Sequence, residues 1–340
     1  MTGLSPNISV LKSRKVGVIG SGSWATAIAK ILLENLPAIH WFIRSDETIE
    51  LFRQYKNNPG YLRGVEFDTD RIHFTSDINQ VAAACDILVI VIPAAFLRDT
   101  LAQLTVDISD KFVVSGIKGL VPGENIVVGE FLHQAYHLPY ESVGVLAGPC
   151  HAEEVALEKL SYLTVACGNE DRGREFASLL QCSYIKANTI DDIWGTEYSS
   201  VLKNIIAIAA GICHGLMYGD NFQAVLISNA IQEIKRFVDT VHPITRDIKS
   251  SVYLGDLLVT GYSQFSRNRT FGNMIGKGYS VRTAQLEMHM VAEGYYSVKI
   301  IREINEKYKV DMPICEAVYQ ILYNGRSPRK EILKLTEKLT

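Results

Sequence analysis

Lysine is out of place in an apolar helix, yet EYSSVLKNIIAIAAGICHGLMYGDN, residues 197–221, carries Lys203 between Val201, Leu202, Ile205 and Ile206. Such a lysine must either snorkel its ammonium to water or hold it in a protected pocket. The second arrangement lowers its pKa toward the range useful for proton transfer. Counting forward in fours gives Ala207, Gly211, Gly215 and Gly219, a row of small residues on one helical face. A helical glycine costs about 1 kcal/mol unless packing or function requires it. The row therefore predicts close approach of another segment or of a ligand.

Three further groups could act on a polar ligand. Lys118, in SGIKGL between Gly116 and Gly119, could meet an anion or a carbonyl. Asp256, in the expected loop LGDL, offers a carboxylate. Ser266, Arg267 and Asn268, in a second expected loop, offer hydroxyl, guanidinium and amide, a set that suits phosphate. Solvated surface loops are the plain alternative for all three. His151, alone at a strand end, reads as structural.

These residues need a scaffold. KVGVI at 15–19 leads through GSGSWAT into a segment with helical periodicity, so Gly20-x-Gly22-x-x-Ala25 fits a strand, glycine turn and helix that bind a dinucleotide. Free amides at that helix start favour a pyrophosphate, although the string alone also suits a methyltransferase or a flavin protein. The second strand, 39–43, ends at Arg44, where an acidic residue would ordinarily take the ribose of NAD. Arginine can pair with a 2′-phosphate, which admits NADP(H). Nearby Asp46 keeps NAD(H) open, and a surface arginine is the plain reading.

Further strands are expected at 87–92, 112–115, 143–146 and 163–166, and the alternation stops after 184–187. From 191 onward helical patterns follow at 194–217, 222–236, 245–251, 281–290, 294–307 and 316–323, then an amphipathic tail. The expectation is an α/β protein, with an N-terminal Rossmann-like doubly wound parallel sheet over 1–190 and an all-α C-terminal domain over 191–340.

Composition agrees with two soluble domains, at 340 residues, 47% hydrophobic and 21% charged. A net charge of -3 gives no electrostatic reason to expect nucleic acid or an anionic membrane. The longest apolar run, 205–217, is interrupted by His214 and falls short of the roughly 20 residues that span a bilayer. The N-terminal stretch lacks the apolar region of a secretory signal, so a cytoplasmic setting is expected. Six scattered cysteines without a CxxC pair or metal-spaced histidines predict reduced thiols and no metal site.

The strings GSGSWAT, NNPGYL, SGIKGL, GPCHAEEVA, LKNIIAIAAGICHGLMYGDN, LGDLLVTGYSQFSRNRTFG and VAEGY follow one another over nearly the whole chain. Through them the sequence resembles the NAD(P)-dependent glycerol-3-phosphate dehydrogenases of the bacterial type. The resemblance implies an oxidoreductase that interconverts dihydroxyacetone phosphate and sn-glycerol 3-phosphate with NAD(H) or NADP(H) and supplies phospholipid synthesis. It implies that Gly20, Gly22, Ser23, Trp24 and Arg44 contact the dinucleotide with Ala152, that Lys118 meets cofactor and substrate, and that Gly148 and Cys150 face the substrate. Lys203 would be the proton donor or acceptor, with Lys118 and Asn204 positioning the reacting oxygen. Asp256 would orient Lys203, and Asp256, Ser266, Arg267 and Asn268 would hold the substrate. Arg267 would also touch the cofactor, over which Val291 and Glu293 close.

The chain departs from the family pattern at Cys150, His151, Arg63 and Ala25. At Cys150 the usual hydroxyl is missing, so a contact there must use thiol or backbone amide. A homodimer is open, and from the charge and the short apolar run neither a nucleic-acid partner nor membrane insertion is expected. A phosphate-free hydroxyacid dehydrogenase and a nucleotide sensor without turnover are the rival readings. The first would leave Arg267 unpaired, and the second has no need of Lys203.

Overall fold

A computed structural model describes residues 14–288 and 292–340. The chain divides into two compact units. One holds the described residues up to Ile117 together with Val128–Ile193, the other Lys118–Val127 together with Trp194–Thr340.

In the first unit, β1 (Val16–Ile19), β2 (Ile39–Phe42), β3 (Ile72–Thr75), β4 (Ile87–Ile90), β5 (Phe112–Ser115), β6 (Val143–Ala147), β7 (Ser161–Cys167) and β8 (Ile185–Ile190) form one sheet. Their order is β3-β2-β1-β4-β5-β6-β7-β8. Its helices are α1 (Ser23–Asn35), α2 (Asp46–Tyr55), α3 (Ile78–Ala84), α4 (Leu97–Leu101), α5 (Val128–Tyr136), α6 (Ala152–Ala156) and α7 (Glu170–Leu180). Alternation along β1 assigns them to both faces. Val16 and Val18 join a core with Ile28 and Leu32 of α1 and Phe176 of α7. On the opposite face a Cβ at Gly17 would lie 2.3 Å from Val81 of α3. The order turns back between β1 and β4, whose carboxyl ends flank the crevice where such sheets take ligands.

Two features differ from the sequence expectation. Strand β3 is additional; it is four residues long with only Ile72 buried, too short and polar to announce itself. The sheet is also not wholly parallel, because β7 pairs antiparallel with β6. The intervening α6 has five residues, about 7 Å of helix, which cannot return the chain along a strand as a parallel crossover demands.

The second unit contains α8 (Ile193–Gly215), α9 (Gly219–Val241), a π-helical turn at Ser251–Gly255, α10 (Asp256–Tyr262), α11 (Arg267–Gly276), α12 (Val281–Glu287), α13 (Glu293–Tyr308), α14 (Pro313–Leu322) and α15 (Pro328–Thr336). Every residue of 195–213 in α8 is buried, so this helix is the core about which the others pack. The helix expected at 245–251 is absent. Asp247 instead accepts from Lys249 N at 3.1 Å with its side chain and from Ser250 N at 3.0 Å with its carbonyl, an Asx turn that competes with helix. The two expected loops are helix starts. Asp256 opens α10, and Ser266 caps α11 by accepting from Arg269 N at 3.3 Å. Among the described residues no helix is long and apolar enough to cross a membrane.

Candidate active site

The first unit builds its turn from backbone. Gly20 has φ of +130°, and a Cβ there would lie 2.2 Å from the Val91 carbonyl oxygen, so only glycine fits. Gly22 is the N-cap of α1 without a side-chain cap, and a Cβ on it would meet nothing within 4 Å. The first amides of α1 thus stand at an open face suited to an anion. Ser23 and Trp24, half-buried, open α1. Trp24 Nε1 lies 3.1 Å from where a Cβ at Gly116 would stand, so the glycine after β5 makes room for the indole. The donors and the space fit a dinucleotide pyrophosphate.

Asn58, to which sequence reasoning assigns no role, fixes this turn. It donates Nδ2 to the Ser21 carbonyl at 2.9 Å and to Thr26 Oγ1 at 2.7 Å. Its Oδ1 accepts from Gly60 N at 3.0 Å and Tyr61 N at 3.2 Å. The available signal was an asparagine heading a Pro-Gly turn.

Arg44 is exposed beyond β2, beside the Ser45 cap of α2, and Asp46 lies in the first turn of that helix, where a carboxylate complements the dipole. Gly148, after β6, has φ of +125°, and a Cβ there would lie 2.7 Å from the Tyr162 carbonyl oxygen. Cys150 is buried in the apolar core with Ala152, the first residue of α6.

In the second unit Lys203 is 3% exposed and its Nζ lies 2.5 Å from Asp256 Oδ1. Asp256 Oδ2 is buried and has no partner among the described residues. Thr260 donates its hydroxyl to the Asp256 carbonyl at 2.6 Å, one turn back in α10. Burial drives the Lys203 pKa down, Asp256 opposes the shift, and the nearby Lys118 ammonium adds to it, leaving a value of about 7. Desolvation therefore outweighs the carboxylate. Near neutral pH both forms are populated, as proton exchange in two directions needs.

The neighbours are tied to the same place. Asn204 donates Nδ2 to the Lys118 carbonyl at 3.1 Å. Burial raises the Glu293 carboxyl pKa, and Arg267, Lys118 and Lys203 pull against that shift, so the acid lies within reach of three cations. Val291 lies outside the described residues.

The small-residue row is a helix crossing. A Cβ on Gly211 would lie 2.1 Å from the Arg269 carbonyl oxygen, on Gly215 2.5 Å from that of Asn273, and on Gly272 2.1 Å from that of Ile208. Backbone rests on backbone, which sets the start of α11 against the helix bearing Lys203. Gly219 stands apart, beginning α9 with open space around it. Ser266 and Asn268 are buried and Arg267 is exposed. Because Ser266 satisfies Arg269, the amides of Arg267 and Asn268 remain without an intrahelical acceptor.

A doubly wound sheet with an open glycine turn, together with a helical unit that buries a lysine–aspartate pair, defines a dinucleotide-dependent oxidoreductase. Residues 15–173 match the family model for the NAD-dependent glycerol-3-phosphate dehydrogenase N-terminus, and residues 192–333 match that for the C-terminus. A Lysinibacillus sphaericus protein named glycerol-3-phosphate dehydrogenase (NAD(P)+) is 35% identical over 320 residues, 93% of this chain and 94% of that one. The chain belongs to the NAD-dependent glycerol-3-phosphate dehydrogenase family. The crystal structure of glycerol-3-phosphate dehydrogenase from Coxiella burnetii superposes with a TM-score of 0.87 at 25% identity, covering 95% of this chain and 99% of that one. D-mandelate dehydrogenase, at a TM-score of 0.59 and 15% identity over 92% of this chain and 98% of that one, shares the fold alone.

Proposed function

We propose that this protein interconverts dihydroxyacetone phosphate and sn-glycerol 3-phosphate with NAD(H) or NADP(H), and that Lys203 gives and takes the proton. The observation that carries the reading is the buried Lys203–Asp256 pair, whose lysine changes charge near neutrality. The nicotinamide, when bound, supplies or accepts the hydride at C2. Lys203 protonates the alkoxide that forms in reduction and accepts the hydroxyl proton in oxidation. Asp256 Oδ1 orients the ammonium, leaving Oδ2 to accept from the substrate. Lys118, its carbonyl held by Asn204, sets a second positive charge where the oxygen becomes anionic. The substrate phosphate takes the Arg267 guanidinium, the Ser266 hydroxyl, the Asn268 amide and the open amides of α11.

On this reading Gly20, Gly22, Ser23, Trp24, Arg44 and Ala152 serve the dinucleotide, with Lys118, Arg267, Val291 and Glu293. The cofactor domain would correspond to the first unit, and the substrate domain to the second, which also takes in Lys118–Val127. Gly148 and Cys150 serve the substrate through backbone, since the Cys150 side chain is committed to the core. The product would feed phospholipid synthesis from the cytoplasm.

The test is loss of reduced-cofactor absorbance on adding dihydroxyacetone phosphate, with NADH and NADPH side by side. Turnover is expected, and a bias toward NADPH that Arg44→Ala removes would assign Arg44 to the 2′-phosphate. Binding of both cofactors with consumption of neither would defeat the reading.

A further inference from the structure

Asn268 joins two elements that the proposed reaction uses. Its Oδ1 accepts from Gly294 N at 2.9 Å. Because an N–H occupies Oδ1, the planar amide turns Nδ2, which can only donate, away from Gly294. No described residue accepts from Nδ2. Gly294 is closely confined as well. A Cβ on it would lie 2.6 Å from the Asn204 carbonyl oxygen, so the first turn of α13 rests on α8 one residue from Lys203. Tyr323 adds a third tether, donating its hydroxyl to the Tyr295 carbonyl at 2.8 Å with the two rings stacked at 4.9 Å. The backbone at Gly294 and Tyr295, next to Glu293, is therefore held at three points, and Asn268 alone among the three partners also stands at the α11 start assigned to phosphate.

We infer that Asn268 is a positioning residue that couples the two ligands. Its Oδ1 holds the α13 start and hence Glu293 for the dinucleotide, while its Nδ2 donates to an oxygen of the substrate phosphate. Ordering of that one amide is shared, so each ligand binds more tightly when the other is present, by the same factor in both directions. This rests on the function proposed above and on the assignment of Glu293 to the cofactor.

NADH and sn-glycerol 3-phosphate cannot react with each other, so their joint binding can be read without turnover. NADH affinity is measured by protein fluorescence while glycerol 3-phosphate is titrated to saturation. The wild type is expected to bind NADH about fivefold or more tightly in the ternary complex, the lower end of ordinary coupling. Asn268→Asp keeps an acceptor for Gly294 but loses the donor. It should retain affinity for NADH alone and lose the enhancement. Asn268→Ala should weaken NADH alone as well. A residue that only supported the fold would leave the enhancement ratio unchanged in Asn268→Asp. That result, or a wild type with no enhancement, overturns the inference, and the wild-type arm depends on no variant. Failure of the wild type to oxidise NADH with dihydroxyacetone phosphate would instead overturn the reading on which it rests.

Discussion

The start of α1 and the crossing of α8 with α11 are both built on glycine, and the space around Gly22 and Gly272 is opposite. A Cβ on Gly22 would meet nothing within 4 Å, whereas one on Gly272 would strike the Ile208 carbonyl oxygen at 2.1 Å. The first glycine leaves room for something that is not part of this chain. The second has had its room taken by the chain itself. A ligand surface and a rigid mount can thus share one sequence signature, and only the occupancy of the space separates them. The chemistry divides in the same way: the open turn offers backbone amides, while the mount aims Lys203, Arg267 and Asn268.

The contrast can be broken most sharply at Lys203. Lys203→Ala should lower kcat by about 10²–10⁴, the usual worth of a general acid–base, with NADH affinity intact. Equal loss of NADH affinity would make Lys203 a binding residue. Stability should respond next. Lys203→Met alone leaves the buried Asp256 carboxylate uncompensated and should cost about 3–5 kcal/mol in chemical denaturation near neutral pH, more than Asp256→Leu, in which the lysine can shed its proton, while the double variant should recover most of the larger loss. Additive losses would mean that the two groups do not form a pair.

The glycines give a smaller and more discriminating effect. Gly272→Ala should lose about 1–3 kcal/mol by forcing the helices apart, and should raise KM for the phosphorylated substrate as Arg267 and Asn268 move. Gly22→Ala should change stability by less than about 1 kcal/mol, since only a cap residue is altered, and should weaken NADH. If the two variants lost stability and affinity in the same proportion, the distinction between ligand glycine and packing glycine would fail.

Much of this arrangement was legible in the chain. The strands that carry the ligand ends are β-branched runs, and Lys203 is conspicuous because its neighbours are apolar. The antiparallel step at β7 was not legible, since strand direction is decided by how far α6 can carry the chain. The starts of α10 and α11 read as loops because Ser266-Arg267-Asn268-Arg269 is wholly polar, although its serine is the cap that begins a helix. Asn58 acts on Ser21 and Thr26, partners far along the chain that no local period reveals. The resemblance supplies a ligand role for Asn268 but not the direction in which its amide faces, which Gly294 decides.

The pH dependence of kcat/KM in the two directions tests the central claim most directly, because it reads the free enzyme's proton donor. Burial places the Lys203 pKa at about 7, so the cation is lost and the free amine gained as pH rises through that value. Reduction of dihydroxyacetone phosphate should fall with rising pH through about 7, and oxidation of glycerol 3-phosphate should rise across the same interval. Parallel profiles in the two directions, or opposed profiles that survive in Lys203→Ala, would contradict Lys203 as the group that moves the proton.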